Sequence, residues 1–150
     1  MSKFIFISSD HAGFELKEKI YQFLIKQKYS IKNLGPITNV SVDYPDYSKL
    51  LAMEIKKKPG SFGILFCGTG IGMSIAANRF QHIRAALCTD LNMVTLSRKH
   101  NDANVLVIGG RTTSLVLAKK MTNKFLNTSF DFGRHQLRIN KLTKEEGKYV

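Results

Sequence analysis

Phe62-Gly63-Ile64-Leu65-Phe66-Cys67-Gly68-Thr69-Gly70-Ile71-Gly72-Met73 is a short apolar run that ends in a cysteine and opens at once into a glycine-rich turn. Its first half has the length and apolar density of a strand covered on both faces. Glycines at alternate positions after Cys67 let the chain turn tightly and approach a ligand with no Cβ in the way. The helix that follows presents unpaired N–H groups and the positive end of its dipole to the turn. Strand, glycine turn and helix in that order make one unit of a parallel α/β fold. Cys67 then stands where a thiolate, the form that acts as nucleophile or base, is favoured. The alternative for Cys67 is a buried cysteine ahead of a purely structural loop, since free cysteine is among the most buried residue types.

The same alternation extends outward in both directions. Strand-like apolar runs lie at 4–7, 29–34, 62–66, 83–88 and 104–108, and the segments between them carry helical spacing. Leu16, Ile20, Phe23 and Leu24 make one apolar stripe, and Leu117, Met121 and Phe125 make another; both read as core. The pattern predicts a Rossmann-like three-layer α/β/α sandwich around a five-stranded parallel sheet, built as a single domain over residues 1–150. Residues 35–47, with Gly35-Pro36 and Tyr44-Pro45, read as a long loop. In this architecture ligands bind beyond the carboxyl ends of the strands. Four segments fall there: Ser8 to Gly13, Asp43 to Tyr47, Cys67 with its glycines, and Gly109 to Thr113.

The formal net charge of +12 invites a nucleic-acid reading. Its distribution argues against one. Seventeen of the 23 basic residues are lysines, spread along helix faces at Lys17, Lys19, Lys26, Lys28, Lys119, Lys120 and Lys124, with no aromatic-interleaved ribbon to stack bases. Such lysines are expected on solvated faces. Arg111, Arg134 and Arg138 differ, because they stand where a planar fork can grip a small anion. No apolar stretch approaches the roughly 18 residues of a membrane helix, and the start of the chain lacks the apolar region of a secretory leader. A cytoplasmic setting is expected, with Cys67 and Cys88 as two free thiols.

Other glycine-loop chemistries fit less well. A Walker loop needs Lys then Ser or Thr after its last glycine, and a cysteine phosphatase needs an arginine a few residues past the thiol; position 73 is methionine. The dinucleotide fingerprint fails by one position, although Asp90 lies 20 residues after Gly70, where a ribose-binding acid belongs. Asp10-His11 and His100-Asn101 each admit a reading as helix caps. Arg134 and Arg138, four apart on one helix face, admit a reading as a solvated stripe.

Taken together, Ser9-Asp10-His11-Ala12-Gly13, Cys67-Gly68-Thr69-Gly70-Ile71-Gly72, His100-Asn101, Gly109-Gly110-Arg111 and Gly133-Arg134-His135-x-x-Arg138 resemble the type B ribose-5-phosphate isomerases over almost the whole chain. That family also includes galactose- and allose-6-phosphate isomerases. The chain is similar to its cysteine branch, because Ile75 and Ala76 stand where other members place a glutamate. The resemblance implies aldose–ketose isomerisation of a sugar phosphate through an enediolate, with no cofactor and no metal. It implies Cys67 as the base, His100 in ring opening and Thr69 beside the ring oxygen. Asp10 would hold sugar hydroxyls, and His11, Arg134 and Arg138 would hold the phosphate. Tyr44, Asn101 and Arg111 would be further contacts, and the backbone from Gly68 through Gly70, Ile71 and Gly72 would face the enediolate. It implies, finally, a homodimer or tetramer with the site at the subunit boundary and a C-terminal helix, about 134–146, packing on the partner.

Overall fold

Ile, Val and Phe at consecutive positions leave the central strands no face to give to solvent, so they must be covered on both sides. The computed structural model, which describes residues 3–144, shows that arrangement. β1 (Ile5–Ser9), β3 (Phe62–Cys67) and β5 (Val105–Gly109) are buried at every position, while β2 (Ile31–Asn33) and β4 (Ala85–Leu87) are short, half-exposed edges. The five strands form one sheet in the order β2-β1-β3-β5-β4, parallel throughout. Both edge strands are shorter than their apolar runs predict, because each has a neighbour on one side only.

Six helices complete the layers: α1 (Phe14–Lys26), α2 (Tyr44–Lys57), α3 (Ile71–Ala77), α4 (Leu91–Asn101), α5 (Leu115–Asn127) and α6 (Arg134–Lys144). Alternate strand residues sort the core into two halves. Ile5, Ile7, Ile64 and Ile108 meet α1, α4 and α5 through Leu16, Ile20, Val94, Met121 and Phe125. Phe6, Leu65, Cys67 and Val107 meet α2 and α3 through Leu51, Ile55, Met73 and Ala77. Cys88 belongs to the first half and Cys67 to the second, and both thiols are free. Among the described residues no helix is long and apolar enough to cross a membrane.

Two expectations need correction. Residues 44–47 are not loop but the first turn of α2, with Pro45 in the opening turn, where its missing N–H costs nothing. Lys17 does not lie on a solvated face. It is fully buried, and its Nζ donates to the Pro36 carbonyl at 2.7 Å and to Asn33 Oδ1 at 3.1 Å while pairing with Glu18 at 2.7 Å. The segment after β2 folds back over the start of α1 and closes above this lysine. Burial lowers the Lys17 pKa, with Glu18 opposing. Lys17→Met is expected to fill the space yet strand the buried Pro36 carbonyl, lowering stability by about 1–3 kcal/mol in urea unfolding.

Candidate active site

From β1 the chain crosses to β2 on one side, and the next strand, β3, joins β1 on the other. The crevice beyond their carboxyl ends is the topological switch point of the sheet. Hydrogen bonds running past the strand ends lace the turns there together: Asp10 N–H to the Phe66 carbonyl at 3.1 Å, Gly110 N–H to the Cys67 carbonyl at 2.6 Å, and Arg111 N–H to the Gly68 carbonyl at 2.9 Å. Asp10 is buried and its Oδ1 accepts from Gly13 N–H at 2.9 Å, so it braces the turn while Gly13 itself takes the cap position of α1. His11 Nδ1 lies 3.2 Å from both the N–H and the carbonyl of Val42, which ties the ring to the segment entering α2.

Cys67 ends β3 at 5% exposure, and the Gly70 N–H donates to its Sγ at 3.1 Å. That donor is available because Gly70 takes φ +84°, a left-handed conformation, with Leu87 and the Gly109 amide packed where a side chain would stand. Thr69 is exposed and its Oγ1 accepts from Ile71 N–H at 3.3 Å. Arg111 Nη1 hangs over Gly68, 3.3 Å from the point a Cβ there would occupy. The Tyr44 ring covers Gly72 still more closely, with Cζ 2.8 Å from such a point. The structure thus gathers Asp10, His11, Tyr44, Cys67, Gly68, Thr69, Gly70, Ile71, Gly72 and Arg111 at one end of the sheet.

His100, Asn101, Arg134 and Arg138 lie at the other end. α4 runs antiparallel to the strands, so its last turn reaches their amino ends, where Arg84 Nε donates to the carbonyls of Asn101 at 3.2 Å and Asp102 at 2.9 Å just before β4. Asp102, at φ +44°, terminates α4, so the cap reading of His100-Asn101 gives way to the next residue. At about 3.3 Å per residue the five residues of β1 put the two ends of the sheet on the order of 15 Å apart. One chain therefore does not bring Cys67 and His100 together. Asp90 is spent elsewhere too: its carboxylate accepts from Met93 N–H at 2.7 Å and caps α4, which removes the ribose-binding acid of the dinucleotide reading.

Two further residues at this end, Arg98 and His135, have no role assigned from the sequence. Arg98 is 2% exposed; its Nη1 donates to Asp102 at 2.8 Å and to the Ala103 carbonyl at 2.6 Å, and its Nε to the Thr128 carbonyl at 3.2 Å. It ties the segment leaving α5 to the end of α4. His135, 9% exposed, stacks on His100 with ring centroids 4.2 Å apart and planes 10° from parallel. Burial, then His100, Arg134 and Arg138, hold the His135 imidazole below the ordinary histidine range, with Asp131 opposing. The expected C-terminal helix exists as α6, although 145–146 lie outside the described residues.

A family profile described as Ribose/Galactose Isomerase matches residues 5–142. The chain belongs to this family. It is similar to ribose-5-phosphate isomerase B of Escherichia coli, at 40% identity over 96% of this chain and 97% of that one. The crystal structure of a Thermotoga maritima ribose 5-phosphate isomerase superposes with a TM-score of 0.93 at 48% identity, covering 96% of this chain and 99% of that one. A Mycoplasma genitalium ribose-5-phosphate isomerase B solved with bound ribulose 5-phosphate gives a TM-score of 0.92 at 38% identity, covering 100% of this chain and 99% of that one.

Within a ribose/galactose isomerase, the packing of Tyr44 on Gly72 has a measurable consequence. Gly72 is not among the glycines with positive φ, so alanine suits its backbone and the cost falls on the Tyr44 ring. Gly72→Ala is expected to leave the melting temperature within about 3 °C while raising KM for a sugar phosphate by roughly 3- to 10-fold, the effect of about 1 kcal/mol. The thiols separate as well. Burial pushes the Cys88 pKa up to about 11, with a Ser97 hydrogen bond opposing. Iodoacetamide near pH 8 is expected to label Cys67 well before Cys88, read by peptide mass mapping.

Proposed function

We propose that this chain interconverts D-ribose 5-phosphate and D-ribulose 5-phosphate, with Cys67 as the base and with each active site shared between two copies. The observation that carries the reading is the Cys67 thiol in its glycine turn at the switch point of a fold matching, over its full length, a protein solved with ribulose 5-phosphate. Isomerisation moves a proton between C2 and C1 and leaves the carbon skeleton and its oxidation level unchanged overall. It needs a base beside C2, donors toward the enediolate oxygens, a proton carrier for ring opening, and an anchor for the phosphate.

The Cys67 thiolate takes the C2 proton and returns it at C1. The Gly70 N–H points at Sγ, a donor that an anionic sulfur accepts more strongly than a thiol does. With the Ile71 N–H directed at Thr69 Oγ1, the other N–H groups of the turn from Gly68 to Gly72 and the Thr69 hydroxyl proton meet the substrate oxygens. Asp10 holds sugar hydroxyls and Tyr44 covers the sugar. His11, fixed through Nδ1, presents Nε2 toward the phosphate. A phosphate held at the far end of the sugar fixes C2 against the sulfur, which is how remote binding energy serves the reacting centre.

His100, Asn101, Arg134 and Arg138 enter this site from a second copy, because their own chain holds them at the opposite end of the sheet. Exposed apolar residues on the helices that follow Cys67 or carry His100 and Arg138 support that arrangement: Ile71 and Ile75 on α3, Leu96 on α4 and Leu137 on α6. A homodimer satisfies it, and a pair of dimers does so equally. Two buried, free cysteines fit a reducing cytoplasm.

The purified protein is expected to convert ribose 5-phosphate, and Cys67→Ala to lower kcat by about 10²- to 10⁴-fold, the usual worth of a positioned base. Near-normal turnover by Cys67→Ala overturns the mechanism. Activity confined to allose or galactose 6-phosphate keeps the mechanism and changes the substrate. Sharing is tested by mixing inactive Cys67→Ala and His100→Ala proteins under mild denaturant. At statistical exchange about half the dimers are mixed, and each holds one intact site, so about a quarter of wild-type activity returns. No recovery, with exchange confirmed by mass spectrometry, places both lesions in one chain's site.

A further inference from the structure

The His100–His135 stack joins two helices that other contacts already hold in place. Arg98 fixes the Thr128 carbonyl, the Asp131 N–H donates to the Lys99 carbonyl at 3.0 Å, and Ile139 of α6 is buried at 7% exposure. His135, the second residue of α6, therefore arrives against the last turn of α4 with its backbone determined, its N–H donating to the Phe132 carbonyl at 3.1 Å. His100 is only half-buried, on the final turn of its helix, where a side chain retains rotamer freedom unless a neighbour removes it. A parallel ring at 4.2 Å removes it.

We propose that His135 is a positioning residue for His100, its ring setting the plane in which His100 presents its nitrogens to the sugar ring bound by the partner copy. The proposal rests on the reading that His100 works in ring opening. In that step the furanose C1–O4 bond breaks, the O1 hydroxyl gives up its proton as the C1 carbonyl forms, and O4 gains a proton. One proton leaves and one arrives, so an imidazole in the right plane can carry both transfers. A misplacement of about 1 Å in such a group costs on the order of 100-fold.

The chemistry of the two substrates separates this role from a structural one. Ribose 5-phosphate is mostly cyclic and must be opened. Ribulose 5-phosphate cannot close a five-membered ring, because its O5 is esterified, so it reaches the enediolate without ring opening. Two assays on the same protein suffice: turnover of ribose 5-phosphate, and loss of a C1 hydrogen of ribulose 5-phosphate to D2O followed by proton NMR. His135→Ala is expected to lower kcat for ribose 5-phosphate by roughly 10- to 100-fold with KM within about twofold, and to leave exchange from ribulose 5-phosphate within about threefold. His135→Phe, which keeps a stacked planar ring, is expected to recover most of the turnover. Proportional loss in both assays, a rise in KM alone, or no change in His135→Ala overturns the proposal. The underlying reading fails separately: His100→Ala would then turn over ribose 5-phosphate normally. Cys67→Ala serves as the control that loses both activities.

Discussion

The parallel pairing of β1, β3 and β5 is the constraint on which the rest of the molecule depends. Because these strands run one way, their carboxyl ends converge, and the turns that leave them are close enough to share backbone hydrogen bonds. Those bonds, from Asp10 to Phe66, from Gly110 to Cys67 and from Arg111 to Gly68, make three turns into one rigid surface. Rigidity there matters more than in an ordinary loop. In the role proposed for Cys67, a base must be held against a single carbon, and a small displacement forfeits much of its effect. The apolar strands and the polar rim are thus one design: burial of β3 on both faces fixes Cys67, and the left-handed Gly70 turns the chain back so that its amide meets the sulfur.

The same polarity separates what it does not join. Helices between parallel strands run backward, so whatever stands at a helix carboxyl end lies at the far side of the sheet. His100 and Asn101 are in that position, and α6 packs beside them. Within one chain the sheet itself stands between them and Cys67. The two clusters are each held by contacts of their own, one by strand-end hydrogen bonds and one by the buried Arg98. That guanidinium is satisfied by Asp102, Ala103 and Thr128 and lies against the Phe62 and Phe125 rings, at 4.9 and 5.6 Å. A buried charge so fully paired is a strut, and it braces the corner from which His135 reaches His100.

Much of this was legible from the sequence, and the exceptions have physical reasons. Strand count, the parallel sheet and the turn after Cys67 follow from apolar periodicity and glycine spacing, which are local properties. The end of the sheet that His100 occupies is also implied by its place late in a helix, a geometric step that motif reading alone does not take. Lys17 was not readable, because its burial depends on where Pro36 comes to rest, nineteen positions on. The helical start at Tyr44 was masked by Pro45, a residue that signals loops and helix first turns alike. His135 sat inside a recognised motif, yet its contact with His100 spans two helices and leaves no trace in spacing.

The excess of positive charge acquires a meaning on the proposed reading of a site shared between two copies. Most of it is lysine on outer helix faces, where it favours solubility and draws anions toward the protein without choosing among them. Choice belongs to the fixed groups. Arg111 and His11 are held by backbone contacts at one end of the sheet, and Arg134 and Arg138 ride on α6 at the other. Gathering the three guanidinium groups around one phosphate, as the proposed shared site requires, costs repulsion that a dianionic ligand relieves. On the proposed reading, a shared site would couple ligand binding to the association of two copies, because the phosphate that anchors the sugar would also neutralise the boundary between them.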